Sequence, residues 1–322
     1  AMLRAGFPVP DGFVINVDAF IAHFGETTDP LVRPSIPRLQ AELMADVVQA
    51  LLDHLGDADQ LAVRSSSTDE DSSQASYAGQ HSTYYFVPPN QLDQAIVDCW
   101  MSLWSSAAIS YRRAGWTEVM SGEPVRMAVI VQRMLPADRS GVAFSRDPIR
   151  ADSSDAVIEA SWGLGAALAD GRVSPDHARI SEDGELRSYI VNDKQFQVSA
   201  DPHNHDAARL QEVAKELRQS AVLNAAEACH IANLSAQLET LFEAPQDVEW
   251  AYVGEQLFLL QSRPITSRAE HHGIDDKLVL FKPLAENFTE PLTPLSEDLY
   301  AAVLPNLGAF YQGRCYLQLR PL

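Results

Sequence analysis

The first half of the chain combines an amphipathic helix pattern with short apolar runs. From residue 38 to residue 55, apolar side chains recur at every fourth position, which predicts a helix with one apolar face; these positions are Leu39, Leu43, Val47, Leu51 and Leu55. Three apolar runs bounded by polar or turn residues predict strands, at residues 13–15, 61–63 and 84–87. A Trp- and Leu-rich segment over residues 91–114 predicts a long helix.

The second half begins with β-branched runs that predict strands of a second lobe, at residues 127–134, 140–144 and 156–160. Residues 206–243 predict helix, and a Gly254-Glu255 turn between alternating runs predicts a hairpin. We therefore predict an α/β protein of the α+β kind, with two lobes, mixed or antiparallel sheets and flanking helices. The predicted boundaries are 1–125 for the first lobe, 126–240 for the second, 241–266 for a returning hairpin, and 267–322 for a linker and the start of an incomplete further domain.

Composition and charge exclude several classes of protein. The 322 residues include 24 Lys and Arg against 44 Asp and Glu, a net charge of −20. Binding to a nucleic-acid backbone needs a cationic surface, so we expect no nucleic-acid partner. No apolar run approaches the roughly 18–20 residues of a membrane span, and no secretory signal opens the chain. Three widely spaced cysteines without a CxxC pair indicate reduced thiols, and we expect a cytoplasmic protein.

The predicted hairpin places four polar side chains where they can meet. Asp247 and Glu249 share one face of their strand, and Gln261 and Arg263 share one face of the next strand. A tight turn makes the two strands neighbours, so two acids, an amide oxygen and a guanidinium can converge. Such a group suits a divalent cation and the phosphates that it bridges. The alternative interpretation is the solvent-exposed face of an ordinary hairpin.

Two further segments carry weaker indications of phosphate or purine binding. The strand at residues 61–63 runs into Arg64 and a Ser-rich loop that ends near Gly79, Gln80 and Thr83, and small-residue loops can hold phosphate oxygens. The alternative is a flexible Ser-rich loop, and no Walker A sequence is present. The strand containing Gln132 and Met134 can form an edge where a purine meets backbone groups, although a core strand explains the pattern better.

Seven segments resemble segments of one family, and they follow one another in the order found in that family. The chain resembles the N-terminal nucleotide-binding domain of phosphoenolpyruvate synthase (pyruvate, water dikinase), pyruvate phosphate dikinase and rifampicin phosphotransferase. The segments that carry the resemblance are Ala5-Gly6-Phe7-Pro8-Val9-Pro10-Asp11-Gly12-Phe13, Val63-Arg64-Ser65-Ser66, Ala75-Ser76-Tyr77-Ala78-Gly79-Gln80, Ser140-Gly141-Val142-Ala143-Phe144-Ser145, Glu159-Ala160-Ser161-Trp162-Gly163-Leu164-Gly165, Pro245-Gln246-Asp247-Val248-Glu249-Trp250 and Leu260-Gln261-Ser262-Arg263-Pro264-Ile265-Thr266.

The resemblance implies an ATP-grasp fold, in which two lobes close on ATP, and ATP and Mg²⁺ as cofactors. It implies Arg64 and Arg263 as the catalytic residues that hold the transferring phosphates. It also implies a loop that covers the phosphates, a segment that holds adenine, and magnesium ligands with a third acid nearby. The covering loop contains Gly79, Gln80 and Thr83, and the adenine segment contains Gln132 and Met134. The magnesium ligands are Glu249 and Gln261, with Asp247 beside them.

In the family, a His on a separate swivelling domain takes the β-phosphoryl of ATP and passes it to an acceptor in a third domain. We expect both domains as partners that lie outside this chain. Members usually carry a Gly-Gly-Lys segment before the Gly6-Phe7-Pro8 turn, and this chain begins after that point. We therefore expect an N-terminally truncated piece of a phosphoenolpyruvate-synthase-like phosphotransferase. The alternatives are the ATP-binding domain of a rifampicin phosphotransferase and a catalytically silent nucleotide-binding module.

Overall fold

Two antiparallel sheets, one of four strands and one of six, form the framework of the chain in the computed structural model. The residues that the structure describes are 1–25, 34, 41–56, 58–67, 71–72, 75–76, 83–106, 108–109, 126–150, 153–169, 173–200, 208–265, 278–280, 309–311 and 314–318. Both sheets belong to one unit, Ala1–Arg268, and a second unit comprises Ala269–Leu322.

The regular elements of the first unit follow one another in this order. Its strands are β1 (Gly12–Ile15), β2 (Leu61–Ser67), β3 (Asp71–Ser72), β4 (Ala75–Ser76), β5 (Thr83–Val87), β6 (Met127–Arg133), β7 (Arg139–Phe144), β8 (Ala156–Trp162), β9 (Asp176–Ile180), β10 (Leu186–Ile190), β11 (Phe196–Ala200), β12 (Ala208–Glu212), β13 (Gln246–Val253) and β14 (Gln256–Pro264). Its helices are α1 (Val17–Phe24), α2 (Ala41–Leu55), α3 (Leu92–Met101), α4 (Ala166–Ala169), α5 (Lys215–Arg218) and α6 (Ala225–Phe242). Short 3-10 turns cover Leu3–Ala5, Pro89–Gln91 and Ser102–Trp104.

The first sheet has the strand order β1-β6-β2-β5 and buries one face under helices. Because side chains alternate along β2 and β6, Val63, Val129 and Val131 point into a core shared with α1, α2 and α3. Phe20 and Trp100 are fully buried in this core. Burial of each such side chain contributes about 1.5–3 kcal/mol. The residues of β2 and β6 that alternate with these valines therefore point to the opposite face of the sheet.

The second sheet has the order β10-β9-β8-β7-β13-β14 and packs one face against α6. Val248 and Trp250 on β13 are fully buried together with Ile231 of α6. A capping box fixes where α6 begins, because the Asn224 side chain accepts a bond from the Glu227 N–H at 2.9 Å and Glu227 accepts one from the Asn224 N–H at 2.9 Å. The opposite face of this sheet carries Glu249.

A buried polar network joins β9 and β10 to the segment that precedes α6. Asp176 accepts bonds from the Lys194 ammonium at 2.5 Å and the Tyr189 hydroxyl at 3.1 Å. It also accepts the backbone N–H groups of Asn192 at 3.0 Å and Val222 at 2.9 Å. Lys194 has no exposed surface, so this carboxylate provides the counter-charge for a cation inside the second lobe.

The Tyr189 hydroxyl in this network makes folding sensitive to alkaline pH. Burial, reinforced by the charge of Asp176, raises the pKa of Tyr189 to about 12. A folded-state pKa above the unfolded value stabilises the protein below pH 10, and that contribution is lost as the pH rises towards 12. We expect the free energy of unfolding to fall more steeply between pH 10 and pH 12 in the wild type than in Tyr189→Phe. Parallel slopes in denaturant titrations of the two proteins would contradict this prediction.

A small third cluster lies where the two sheets approach each other. Phe86, Met134, Leu164 and Val198 are buried together there. The Leu164 N–H donates to the Val198 carbonyl at 2.7 Å, which ties the segment after β8 to the β11–β12 hairpin. Met134 follows β6 of the first sheet and Leu164 follows β8 of the second, so the cluster connects the two sheets.

The second unit contains a three-stranded antiparallel sheet of its own. Its strands are β15 (Leu278–Leu280), β16 (Ala309–Tyr311) and β17 (Arg314–Gln318), in the order β15-β17-β16. Residues 281–308 lie outside the described residues. The interpretation of 267–322 as a linker and the start of a further domain stays a prediction.

The α+β class, with antiparallel sheets and flanking helices, is confirmed. Strand β6 pairs with β1 and β2, so the first sheet includes a strand from beyond residue 126, and the predicted lobe boundaries stay a prediction. The helix predicted over 206–243 begins only at Ala225, after β12 and α5, and the helix predicted over 91–114 is interrupted after Met101. Of the helices in the described part of the chain, none is both long and apolar enough to cross a membrane.

Candidate functional site

A cleft opens between the faces of the two sheets that are not covered by helices. The first sheet contributes Ala62 and Arg64 from β2 and Gln132 from β6. The second sheet contributes Gly141 from β7 and Glu249 from β13. Most of the other lining side chains are apolar, so polar groups are concentrated at few points of an otherwise apolar wall.

At one end of the cleft a single arginine joins the two sheets. Arg64 Nη2 donates to Glu249 Oε2 at 2.5 Å and to Gln261 Oε1 at 2.9 Å. The Arg64 side chain is only 13% exposed, whereas that of Glu249 is 41% exposed. The carboxylate is therefore accessible from the cleft while the guanidinium lies deeper in its wall.

The strand geometry explains why these three side chains meet. Glu249 and Gln261 are direct cross-strand partners, a register that unbroken pairing from the two-residue turn would not give, because it would place Glu249 opposite Leu260. A β-bulge follows, since Trp250 pairs with Leu259 and leaves Leu260 as the extra residue. The bulge allows Leu260 to line the cleft beside Glu249. Arg64 reaches them because alternation along β2 points it away from the helices.

Asp247 and Arg263 lie one residue pair further along the same hairpin. They are direct cross-strand partners, on the face that carries Glu249 and Gln261. Both belong to the described residues, and neither is among those that line the cleft. The structure therefore places Arg263 on the edge of the polar end, beyond the Glu249–Gln261 pair.

The other end of the cleft is narrow and apolar. Gln132 is 7% exposed and Met134 9% exposed, and both line the wall. The Met134 N–H donates to the Gln60 carbonyl at 3.0 Å, which fixes the segment that leaves β6. Tyr85 and Leu164 complete this end. Apolar side chains with one buried amide suit a flat heteroaromatic ring.

The structure brings together most of the predicted site residues. Arg64, Glu249 and Gln261 form one cluster, Gln132 and Met134 line the opposite end, and Thr83 pairs with Arg64 across β2 and β5. Gly79 and Gln80, predicted to cover phosphates, lie outside the described residues. Sequence reasoning missed Tyr85 and Leu164, although Tyr85 lies within a predicted strand and Leu164 within a quoted motif.

The donor set of the polar end fits a magnesium ion that is shared with a ligand. Glu249 offers a carboxylate and Gln261 an amide oxygen, both of which are hard oxygen donors. Within the described ranges, no cluster of three or more His, Cys, Asp or Glu side chains is arranged to hold a metal. A small donor set is typical of Mg²⁺, which binds through one or two carboxylates and takes further ligands from substrate phosphates and water.

Comparison with known proteins identifies the domain. Residues 30–277 match the pyruvate phosphate dikinase AMP/ATP-binding domain. The chain is 32% identical over 282 residues to the prodigiosin synthesizing transferase PigC of Serratia marcescens, with 84% of this chain and 31% of that protein covered. It is 30% identical over 325 residues to a rifampicin phosphotransferase of Streptomyces sviceus, with 92% of this chain and 36% of that protein covered.

A probable phosphoenolpyruvate synthase of Methanocaldococcus jannaschii is 30% identical over 328 residues, with 87% of this chain and 26% of that protein covered. The chain thus spans well under half the length of these three relatives. The family match includes both sheets' contributions to the polar end, Arg64, Glu249 and Gln261. The chain therefore belongs to the family of the pyruvate phosphate dikinase AMP/ATP-binding domain.

Proposed function

We propose that the cleft between the two sheets binds ATP together with Mg²⁺, with the phosphates at Arg64 and the adenine at Gln132 and Met134. One observation carries the proposal: a cation, a carboxylate and an amide oxygen from two different sheets meet at one end of an apolar cleft. Family membership supports the nucleotide as the ligand.

At the phosphate end, two arginines provide the positive charge. Arg64 presents a planar guanidinium whose N–H groups match phosphate oxygens in pairs. Arg263, one residue pair along the hairpin, extends the positive charge towards the edge of the sheet. Such groups stabilise phosphoryl transfer chiefly through positioning and charge neutralisation, so Arg64 and Arg263 are the residues that we assign to catalysis.

Glu249 and Gln261 would hold the magnesium ion through their side-chain oxygens, with Asp247 one residue pair away. When bound, Mg²⁺ neutralises the charge of the triphosphate and fixes its geometry. Thr83 lies beside Arg64 in the first sheet, where its hydroxyl can donate to a phosphate oxygen. The phosphate-covering role of Gly79 and Gln80 stays a prediction, because both lie outside the described residues.

At the adenine end, Gln132 and Met134 would contact the base, and Tyr85 and Leu164 would form the apolar walls. Burial of the flat ring there excludes water from both of its faces and supplies apolar contact area. Because the triphosphate would lie at Arg64, its charge would set the orientation of the whole nucleotide in the cleft.

In the longer protein we propose that this domain passes the β-phosphoryl of ATP to a His on a separate swivelling domain. The phosphoenolpyruvate synthase relative supports that role in a pyruvate, water dikinase. The rifampicin phosphotransferase relative, similar along 92% of this chain, supports an antibiotic acceptor as the alternative. Both alternatives share the ATP site and differ in the acceptor domain.

Titration calorimetry of the purified chain with ATP, with and without Mg²⁺, tests the proposed site. We expect binding that depends on Mg²⁺, and about hundredfold weaker binding in Glu249→Ala, equivalent to about 2.7 kcal/mol. Loss of the carboxylate also removes the dependence on Mg²⁺. Arg263→Ala is expected to weaken binding in the same direction because it removes a phosphate contact.

Glu255→Ala is the matched control, since Glu255 is an exposed acid in the turn of the same hairpin. It changes the net charge by the same amount and is expected to leave ATP affinity unchanged. Equal ATP affinity in the wild type, Glu249→Ala and Glu255→Ala would contradict the proposed site. A folded wild-type chain that binds no ATP would also contradict it.

A further inference from the structure

The oxygen atoms that we assign to magnesium already hold a cation of the protein's own. A single nitrogen, Arg64 Nη2, lies 2.5 Å from Glu249 Oε2 and 2.9 Å from Gln261 Oε1. An arginine side chain keeps its positive charge at every physiological pH. The polar end of the cleft therefore contains an ion pair and a charge-assisted hydrogen bond between the two sheets.

A magnesium ion on the same two oxygens cannot coexist with this arrangement. Mg²⁺ binds oxygen ligands at about 2.0–2.1 Å, so an ion bound to both side chains would occupy the space that Nη2 occupies. Two positive charges at that separation, in a wall where Arg64 is 13% exposed, would also repel each other strongly. Metal binding therefore requires that the guanidinium move away.

We propose that Arg64 is an internal competitor of the metal, exchanging places with Mg²⁺ when a nucleotide binds. The inference rests on the proposed ATP site. Before binding, Arg64 neutralises Glu249 and links the first sheet to the second. On binding, the metal takes the Glu249 and Gln261 oxygens, and the released guanidinium turns to the phosphates. The phosphates of the nucleotide thus become the new partner of the displaced Arg64 guanidinium.

The exchange couples the affinities for metal and nucleotide. Metal without nucleotide must break the contacts of Arg64 and leave its charge in the cleft wall with no phosphate to receive it. Metal with nucleotide breaks the same contacts and restores a partner for the guanidinium. Each ligand therefore raises the affinity for the other by the same factor, as linkage requires.

Removal of Arg64 should then have opposite effects on the two ligands. A hydrogen bond to a charged group contributes about 1.5–3 kcal/mol, so its loss should strengthen binding of the metal alone roughly ten- to a hundredfold. ATP binding should weaken, because the phosphates lose a guanidinium. If Arg64 bound phosphate without competing with the metal, its removal would lower the affinity for ATP and leave the affinity for metal alone unchanged.

Electron paramagnetic resonance of free Mn²⁺, titrated into the chain without nucleotide, measures the first effect. Mn²⁺ prefers the same carboxylate and carbonyl ligands as Mg²⁺. We expect Arg64→Met, which keeps the length of the side chain without its charge, to bind Mn²⁺ roughly ten- to a hundredfold more tightly than the wild type. Arg64→Ala serves as a second variant, and circular dichroism confirms that each variant is folded.

Two controls assign the effect to the cleft. In the double variant with Arg64→Met and Glu249→Gln, the gain in Mn²⁺ affinity should disappear. Arg187→Ala removes the same charge from an exposed position on β10, where Arg187 pairs with Asp155 at 3.0 Å, and should give no gain. This control accounts for attraction of Mn²⁺ to a chain with a net charge of −20.

Equal Mn²⁺ affinity in the wild type and both Arg64 variants would overturn the inference, as would an equal gain in Arg187→Ala. The result is separable from the proposed function, because the Mn²⁺ titration contains no nucleotide. If the wild type fails to bind ATP while Arg64→Met gains Mn²⁺, the competition stands and the ATP assignment falls. If ATP binds and Mn²⁺ affinity does not change, the reverse holds.

Discussion

Asp176→Ala is expected to destabilise the chain by about 3–5 kcal/mol, because it leaves the charge of Lys194 buried without a counter-charge. The Lys194 side chain has no exposed surface, and its ammonium donates to Asp176 and to the Asn192 carbonyl. The same substitution removes acceptors from two backbone N–H groups and from the Tyr189 hydroxyl. Urea titration followed by circular dichroism measures the loss.

Two further variants separate this mechanism from a general effect of lost charge. Asp193→Ala removes an exposed carboxylate that accepts a hydrogen bond from the Gln195 side chain, and is expected to change stability by less than about 0.5 kcal/mol. In the double variant Asp176→Leu with Lys194→Met, both charges are gone, so we expect much of the stability to return. A small loss in Asp176→Ala, equal to that of Asp193→Ala, would show that the pair does not anchor this lobe.

Gly141→Ala is the second substitution with a large expected effect, at least about 3 kcal/mol of lost stability. A Cβ at Gly141 would lie 1.9 Å from the Glu159 carbonyl and 2.4 Å from the Trp250 ring. Neither neighbour can yield easily, because the carbonyl belongs to the paired strand β8 and Trp250 is fully buried in the core. Strand β7 would have to separate from β8 or from β13.

Gly165→Ala is the matched control for this prediction, since Gly165 also lines the cleft. Of the residues that the structure describes, its Cβ would meet Ser140 alone, at 3.7 Å, which is ordinary contact. Thermal unfolding of the two variants should therefore give a clearly lower Tm for Gly141→Ala and one close to the wild type for Gly165→Ala. Similar Tm values for both would mean that the backbone at Gly141 relaxes more freely than the packing implies.

The polar hairpin is the part of the site that sequence predicts best. Its alternation has a period of two, and a two-residue turn makes the two strands neighbours. Glu249 pairs with Gln261, and Asp247 with Arg263, only because the β-bulge at Leu260 shifts the register, since unbroken pairing from the turn would place Glu249 opposite Leu260. Local rules bring these residues together because both pairs lie within 17 consecutive residues, from Asp247 to Arg263, but they do not predict the bulge that sets the register.

Contacts between distant segments were not accessible in the same way. The pattern of β6 identifies a strand but not its partners, so its place between β1 and β2 was missed. The contact of Arg64 with Glu249 joins residues 185 positions apart and depends on how two sheets face each other. The Asp176–Lys194 pair was likewise missed, since both residues are usually exposed and only tertiary packing buries them.

The resemblance to a family supplied what residue patterns left open. From the residues alone, the Ser-rich loop and the Gln132 strand had ordinary explanations, and the hairpin had a solvent-exposed alternative. Tertiary structure favours the functional interpretation for the hairpin, because Glu249 and Gln261 contact an arginine of the other sheet. For Gln132 and Met134 it adds their place in the wall of the same cleft.

The most direct test of the ATP site is a crystal structure of the chain with a non-hydrolysable ATP analogue and Mn²⁺, with the metal located by its anomalous scattering. We expect the anomalous peak between the side-chain oxygens of Glu249 and Gln261, the phosphates on Arg64, and the base beside Gln132 and Met134. A metal peak away from Glu249, or a nucleotide bound outside the cleft, would contradict the proposed site.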